Sequence, residues 1–115
     1  MHEVSIALSL VEGVSEEAAR RGITKVMAVH VRIGAMAGVV KDSLLFAWDL
    51  AANGSLAEGA ALKIEEVPLV IYCPSCCEEK TLSGIPNLHC PSCGVPAPSI
   101  VRGRELQMVA MEVAN

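Results

Sequence analysis

Aromatic side chains are nearly missing from this 115-residue chain: Phe46, Trp48 and Tyr72 are all it has. Nucleic acid asks for a basic face, and its single strands ask for stacking platforms. Nine Lys and Arg against thirteen Asp and Glu leave a net charge of −4, the wrong sign for such a partner. Long apolar runs are missing as well. Hydrophobic residues make up 52% of the chain, yet no stretch approaches the roughly 18 apolar residues of a membrane span, so a soluble protein is expected. No charged-then-apolar leader stands at the start and the cysteines read as reduced, which places the chain in the cytoplasm. The length allows one domain's worth of core with a small appendage.

Five cysteines carry the clearest chemistry. They fall as Cys73-Pro-Ser-Cys76, a spacer, then Cys90-Pro-Ser-Cys93-Gly94. Each CxxC pair forms a tight turn that presents two thiolates on one side, and two facing turns give the tetrahedral sulfur cage that Zn2+ prefers. Four cysteines close the coordination shell, so the zinc is expected to be structural and not catalytic. A disulfide framework would need a secreted context and would leave Cys77 over. A thioredoxin-like pair uses one CxxC at a strand-to-helix junction, not two joined by a short loop. Cys77 reads as a spare thiol beside the knuckle, and His89 as an exposed loop histidine.

Along the chain, Val4, Ala7, Leu8, Val11, Val14 and Ala18 recur at helical spacing, which predicts an amphipathic helix over about 4–21 closed by Gly22. Residues 25–33 alternate as a strand, with Met27, Val29, Val31 and Ile33 on the core face and His30 on the other, partly exposed side. Gly34 to Gly38 is a loop. Asp42 or Ser43 is the expected N-cap of a second helix bearing Leu44, Leu45, Trp48 and Ala52, ended by Asn53-Gly54. A strand over 61–72 follows, with Pro68 marking an edge or bulge, and it runs straight into Cys73. Pro96-Ala97-Pro98 is a stiff exit from the second knuckle, and Gly103 precedes a last strand over 105–113. The expected architecture is α/β (α+β): two helices packed on a three-stranded sheet, with a zinc ribbon inserted between the last two strands. The domains are then 1–72 plus 99–115, and 73–98.

The chain opens Met1-His2-Glu3. An α-amine, the His2 amide nitrogen and the His2 imidazole chelate one ion through fused rings, a nitrogen-rich planar set that suits Ni(II) or Cu(II) and not Zn(II). A chance histidine at a frayed terminus is the plain reading of the same residues.

Met1-His2-Glu3-Val4-Ser5-Ile6, Ile33-Gly34, Leu62-Lys63-Ile64-Glu65 running into Cys73 and Cys76, Cys90-Pro-Ser-Cys93-Gly94, and Gly103-Arg104-Glu105-Leu106 form a set of motifs. Together they resemble those of the HypA/HybF family of hydrogenase-maturation nickel chaperones. The likeness covers the whole chain. It implies a nickel-binding α/β domain and a zinc ribbon held by Cys73, Cys76, Cys90 and Cys93. It further implies nickel at Met1 and His2 with Glu3 contributing, and as partners the nickel-handling GTPase HypB and the [NiFe] hydrogenase large-subunit precursor. Cys77 departs from the family pattern, as does the lack of a histidine close after the first knuckle. The reading is a non-enzymatic nickel metallochaperone with Zn2+ as structural ion and Ni2+ as cargo. The alternative is a zinc-ribbon adaptor that binds a protein or nucleic-acid partner and handles no second metal.

Overall fold

The computed structural model describes residues 2–83, 88–96 and 99–114, and within them the chain forms two compact units. The first comprises 1–31, 39–65 and 107–115; the second comprises 32–38 and 66–106. Helix α1 (His2–Arg21), strand β1 (Val26–Gly34), helix α2 (Lys41–Ala52) and strand β2 (Ala61–Val67) come first in the chain. Strands β3 (Leu69–Cys73), β4 (Glu78–Leu82), β5 (Ser99–Arg102) and β6 (Leu106–Val113) follow. Two sheets of three strands result, ordered β2-β1-β6 and β4-β3-β5.

In the first unit α1 packs against α2, and the buried positions include Ala7, Val14 and Ala18 of α1, Val26, Val29 and Val31 of β1, and Leu44 and Trp48 of α2. Trp48 is the largest buried side chain, and its indole N–H donates to the Ala60 carbonyl at 2.9 Å, tying α2 to the entry of β2. Helix α1 closes where the Ile23 N–H bonds the Ala18 carbonyl at 2.9 Å, so Gly22 ends it as the sequence implied. The buried stripe of α1 is rotated from the expected one. Glu3, Ile6, Ala7, Val14 and Ala18 face inward, while Val4 and Leu8 are exposed.

Strand β1 shows a comparable shift at its start. Val26 and Ala28 are buried and Met27 is exposed, whereas Val29, Val31 and Ile33 are buried as the alternation implied. His30 is half-buried. The N-cap of α2 is Val40 and makes no side-chain cap bond, so neither Asp42 nor Ser43 fills that role. A carboxylate from α1 instead accepts the N–H of Val40 itself, as described below.

The single strand expected over 61–72 is two strands. Pro68 has no N–H to give a ladder, and there the chain leaves one sheet for the other, β2 lying beside β1 and β3 between β4 and β5. As the central strand, β3 buries Leu69, Val70, Ile71 and Cys73. Its neighbours are antiparallel, with Leu69 opposite Leu82 and Cys73 opposite Glu78 on one side, and Tyr72 opposite Ser99 on the other. Pro96 forms an isolated bridge with His89. Ala97 and Pro98, the rest of the expected stiff exit, lie outside the described residues.

Two glycines of the second unit are fixed by contact. A Cβ on Gly34 would lie 2.1 Å from the Gly103 carbonyl carbon and oxygen, and one on Gly103 would lie 2.8 Å from the Leu69 Cα. Gly103 also has φ +123, which disfavours any side chain. The Gly34 N–H donates to the Glu105 carbonyl at 2.8 Å and the Met36 N–H to the Gly103 carbonyl at 2.7 Å. Glu105 closes the joint by accepting the Gly103 N–H at its carboxylate at 2.8 Å. No helix among the described residues is long and apolar enough to cross a membrane.

Candidate metal centres

The first knuckle is the turn of the β3–β4 hairpin. Cys73 ends the buried central strand, and the Cys76 N–H points back at the Cys73 sulfur at 3.4 Å. The second knuckle is a smaller hairpin closed by the His89–Pro96 bridge, with the Cys90 N–H on the Val95 carbonyl and the Gly94 N–H on the Cys90 carbonyl, both at 2.9 Å. All four sulfurs lie within 4.8 Å of one another. Sulfurs at the corners of a tetrahedron with metal bonds of about 2.3 Å are about 3.8 Å apart. The Cys73–Cys93 and Cys76–Cys90 separations, 3.5 and 3.9 Å, bracket that value. The donor set therefore fits a single thiophilic divalent ion.

Proton distribution among the four thiols follows from the same closeness. Hydrogen bonding to Cys73, then to Cys93, pushes the Cys76 thiol up to about 12. The backbone N–H of Cys93 draws the Cys90 thiol down to about 6. A divalent cation displaces such protons when it binds. Cys73 and Cys90 are buried, Cys76 is half-buried and Cys93 exposed, so the cage has a protein side and a solvent side. Lys80, on β4, donates to the Glu78 carboxylate, and that pairing raises the Lys80 pKa above its ordinary value.

Cys77 is exposed, stands at φ 56 with its thiol directed to the Pro74 carbonyl at 3.4 Å, and is outside the four-sulfur group. His89 is exposed and also outside it, lining a cavity of about 500 Å3 with Thr81, Leu82 and Pro91.

At the other end of the chain, Met1 lies outside the described residues. His2 opens α1 with its side chain 57% exposed, and its Nδ1 is 4.0 Å from the Glu3 Oε2. Glu3 is turned inward and buried, and the same Oε2 accepts the Val40 N–H at 3.1 Å. That N–H is the main reason the Glu3 carboxyl is held below the usual carboxylate range, with the His2 charge adding to it. Glu3 thus ties the start of α1 to the start of α2. Sequence reasoning assigned Glu3 only to metal; its place in a stripe with Ala7, Val14 and Ala18 was the signal for an inward-facing carboxylate.

The four-sulfur group of the ribbon defines a small metal-binding protein of the α/β type. The family described as "Hydrogenase/urease nickel incorporation, metallochaperone, hypA" matches residues 1–113. The hydrogenase maturation factor HypA of Chloroflexus aurantiacus is 50% identical over 112 residues, covering 97% of this chain and 98% of its own. That of a Roseiflexus species is 47% identical, covering 97% and 91%. The chain belongs to the HypA family. The solution structure of the Ni metallochaperone HypA from Helicobacter pylori superposes with a TM-score of 0.67 at 23% identity, covering 96% of each chain. A second solution structure, of a HypA protein, gives 0.70 at 24% identity, covering 99% of this chain and 97% of the other. At those identities the two structures speak for the fold. The family is one of metallochaperones, not enzymes, and its work is hydrogenase maturation.

Proposed function

We propose that this chain takes up Ni(II) at its N-terminal end and delivers it during assembly of the [NiFe] hydrogenase centre. The observation that carries the reading is the family match over residues 1–113 together with an exposed His2 beside the Glu3 carboxylate. The Met1 α-amine, the His2 amide and the His2 imidazole supply nitrogen donors, and Glu3 contributes an oxygen or orients the ring. A site built from a terminal peptide gives up its ion more readily than a buried cage, which suits a carrier. Zn2+ is the ion proposed for Cys73, Cys76, Cys90 and Cys93, where it serves structure: soft thiolates select it over nickel. In this division nickel belongs to 1–72 plus 99–115 and zinc to 73–98. The proposed partners are the GTPase HypB and the hydrogenase large-subunit precursor, met in the cytoplasm.

Absorption spectroscopy of zinc-loaded protein titrated with nickel tests the separation of the two sites. A planar nitrogen spectrum that disappears in His2→Ala is expected. Intense sulfur charge-transfer bands that persist in His2→Ala would move nickel to the cysteines and overturn the assignment.

A further inference from the structure

We propose that the solvent face of the α1–α2 pair is a docking site for a basic amphipathic helix of a partner protein. The two helices pack against each other, and the bond from the Val40 N–H to Glu3 puts their starts side by side. Val4 and Leu8 stand one turn apart on α1 and are exposed. Phe46 and Leu50 stand one turn apart on α2 and are 69% and 64% exposed, more than any other large apolar side chain among the described residues.

The two pairs lie on adjoining faces. Glu17 and Arg21 of α1 line a cavity with Met108 and Met111 of β6, which fixes the flank of α1 that β6 occupies. Leu8 precedes Glu17 by nine residues, half a revolution at about 100° per residue, so it lies on the flank away from β6, where α2 packs. Phe46 is two residues from each of the buried Leu44 and Trp48, about 160° round α2 from both. It therefore crowns the solvent side of that helix. Four large apolar side chains exposed on one packed helix pair make a patch of the kind that marks an interaction surface.

Charge selects the occupant. The two helices carry four glutamates and two aspartates against two arginines and one lysine. Both arginines donate to Glu17 at the far end of α1, and the nearer, Arg20, is twelve residues or about 18 Å beyond Leu8. Lys41 lies about 140° round α2 from Phe46. Glu12, Asp42 and Asp49 each stand about one turn from Leu8 or Phe46, are exposed, and enter no ion pair among the described residues. The border of the patch is therefore acidic. A second copy of this chain would bring those carboxylates face to face, and like charges oppose association. An anionic membrane or a nucleic acid meets the same repulsion. A helix with an apolar stripe flanked by lysines or arginines matches both the patch and its border, its anchors one turn apart. Val40, exposed and bonded to Glu3, carries the patch to the start of α1. On the reading proposed above, a partner docked there sits beside the nickel residues.

The test uses the full-length, zinc-loaded protein without nickel and a fluorescently labelled helical peptide of about 18 residues, with leucines on one stripe and lysines on its flanks. Anisotropy is expected to show binding that weakens about tenfold in Phe46→Ser and in Asp49→Lys and falls with added salt. Both positions are exposed, so neither variant disturbs the core. Met27→Ser, at an exposed apolar position of β1, is expected to bind as the wild type does. Amide NMR shifts of the wild type on peptide addition are expected to concentrate in residues 4–12 and 40–50. Failure of the basic helix to bind overturns the proposal. So does equal binding of a leucine–glutamate counterpart, an equal loss in Met27→Ser, or a concentration-dependent dimer that shifts the same amides without peptide. No nickel is present, so failure of docking leaves nickel uptake at His2 untouched, and failure of nickel binding leaves docking untouched.

Discussion

Gly34 and Gly103 carry more of this fold than their size suggests, because their backbones touch where other residues keep a side chain apart. With a Cβ 2.1 Å from backbone atoms at Gly34, and 2.8 Å from the Leu69 Cα at Gly103 where φ is +123, no rotamer change relieves either alanine. Gly103→Ala and Gly34→Ala are each expected to cost at least about 3 kcal/mol in urea unfolding. A loss below about 1 kcal/mol would mean that the joint is looser than described. The glycines of Ile33-Gly34 and Gly103-Arg104-Glu105-Leu106 were legible as a family likeness and not as a contact, since two points 69 residues apart in sequence give no local sign of meeting. Glu3 is the other residue with a double claim on it. Its oxygen accepts the Val40 N–H, so Glu3→Gln, which keeps an acceptor, is expected to hold the melting temperature better than Glu3→Ala. Both are expected to weaken nickel less than His2→Ala does. Identical melting of the two Glu3 variants would remove the carboxylate from its tie between the helices.

Among the elements, those with strong periodicity were the readable ones. α1, β1, α2 and β6 stand near their expected bounds because each carries a sustained apolar pattern, although the phase was harder to read than the type. Val4 and Leu8 fit the helical period as well as the buried residues do, and only tertiary packing decides that Glu3 and Ile6 turn inward. β4 and β5 were not foreseen. Glu78–Leu82 is mostly charged and polar, and it is a strand because the Cys73–Cys76 turn reverses the chain and β3 offers it a ladder. The cysteine spacing, by contrast, dictated its own geometry, and the four sulfurs meet as CxxC pairs require. Cys73→Ala is expected to release the ribbon's metal, proposed above to be zinc, and to unfold the β4-β3-β5 sheet, because binding free energy on the order of 10 kcal/mol in zinc peptides is also folding free energy. Retention of one zinc at full affinity would contradict the four-cysteine assignment.

Across the first sheet, Glu112 of β6 accepts from Lys63 of β2 at 3.1 Å and lies 2.6 Å from the His30 Nε2 of β1, so one carboxylate spans all three strands. The contact with His30, then that with Lys63, holds its carboxyl below the ordinary value of 4.5. A depressed folded value means that this stabilisation is present above the ordinary carboxylate range and is lost as pH falls through the lowered one. Glu112→Gln is therefore expected to be less stable than wild type near neutrality and to converge with it in acid. Parallel stability curves across that window would show that the carboxylate charge does not matter.

At the scale of the whole molecule, the proposed division puts two kinds of metal chemistry at separate places in the sequence, nitrogen at the start and sulfur in the ribbon. The proposed function stands or falls with nickel being bound by the terminal residues themselves. It is tested most directly by titrating Ni(II) into three zinc-loaded proteins: the untagged chain, His2→Ala, and the chain extended by one residue before Met1. One tight nickel is expected in the first, none in the second and sharply weakened binding in the third, with affinity in the first falling as pH drops through the imidazole range near about 6.5. Equal nickel affinity in all three proteins would contradict it.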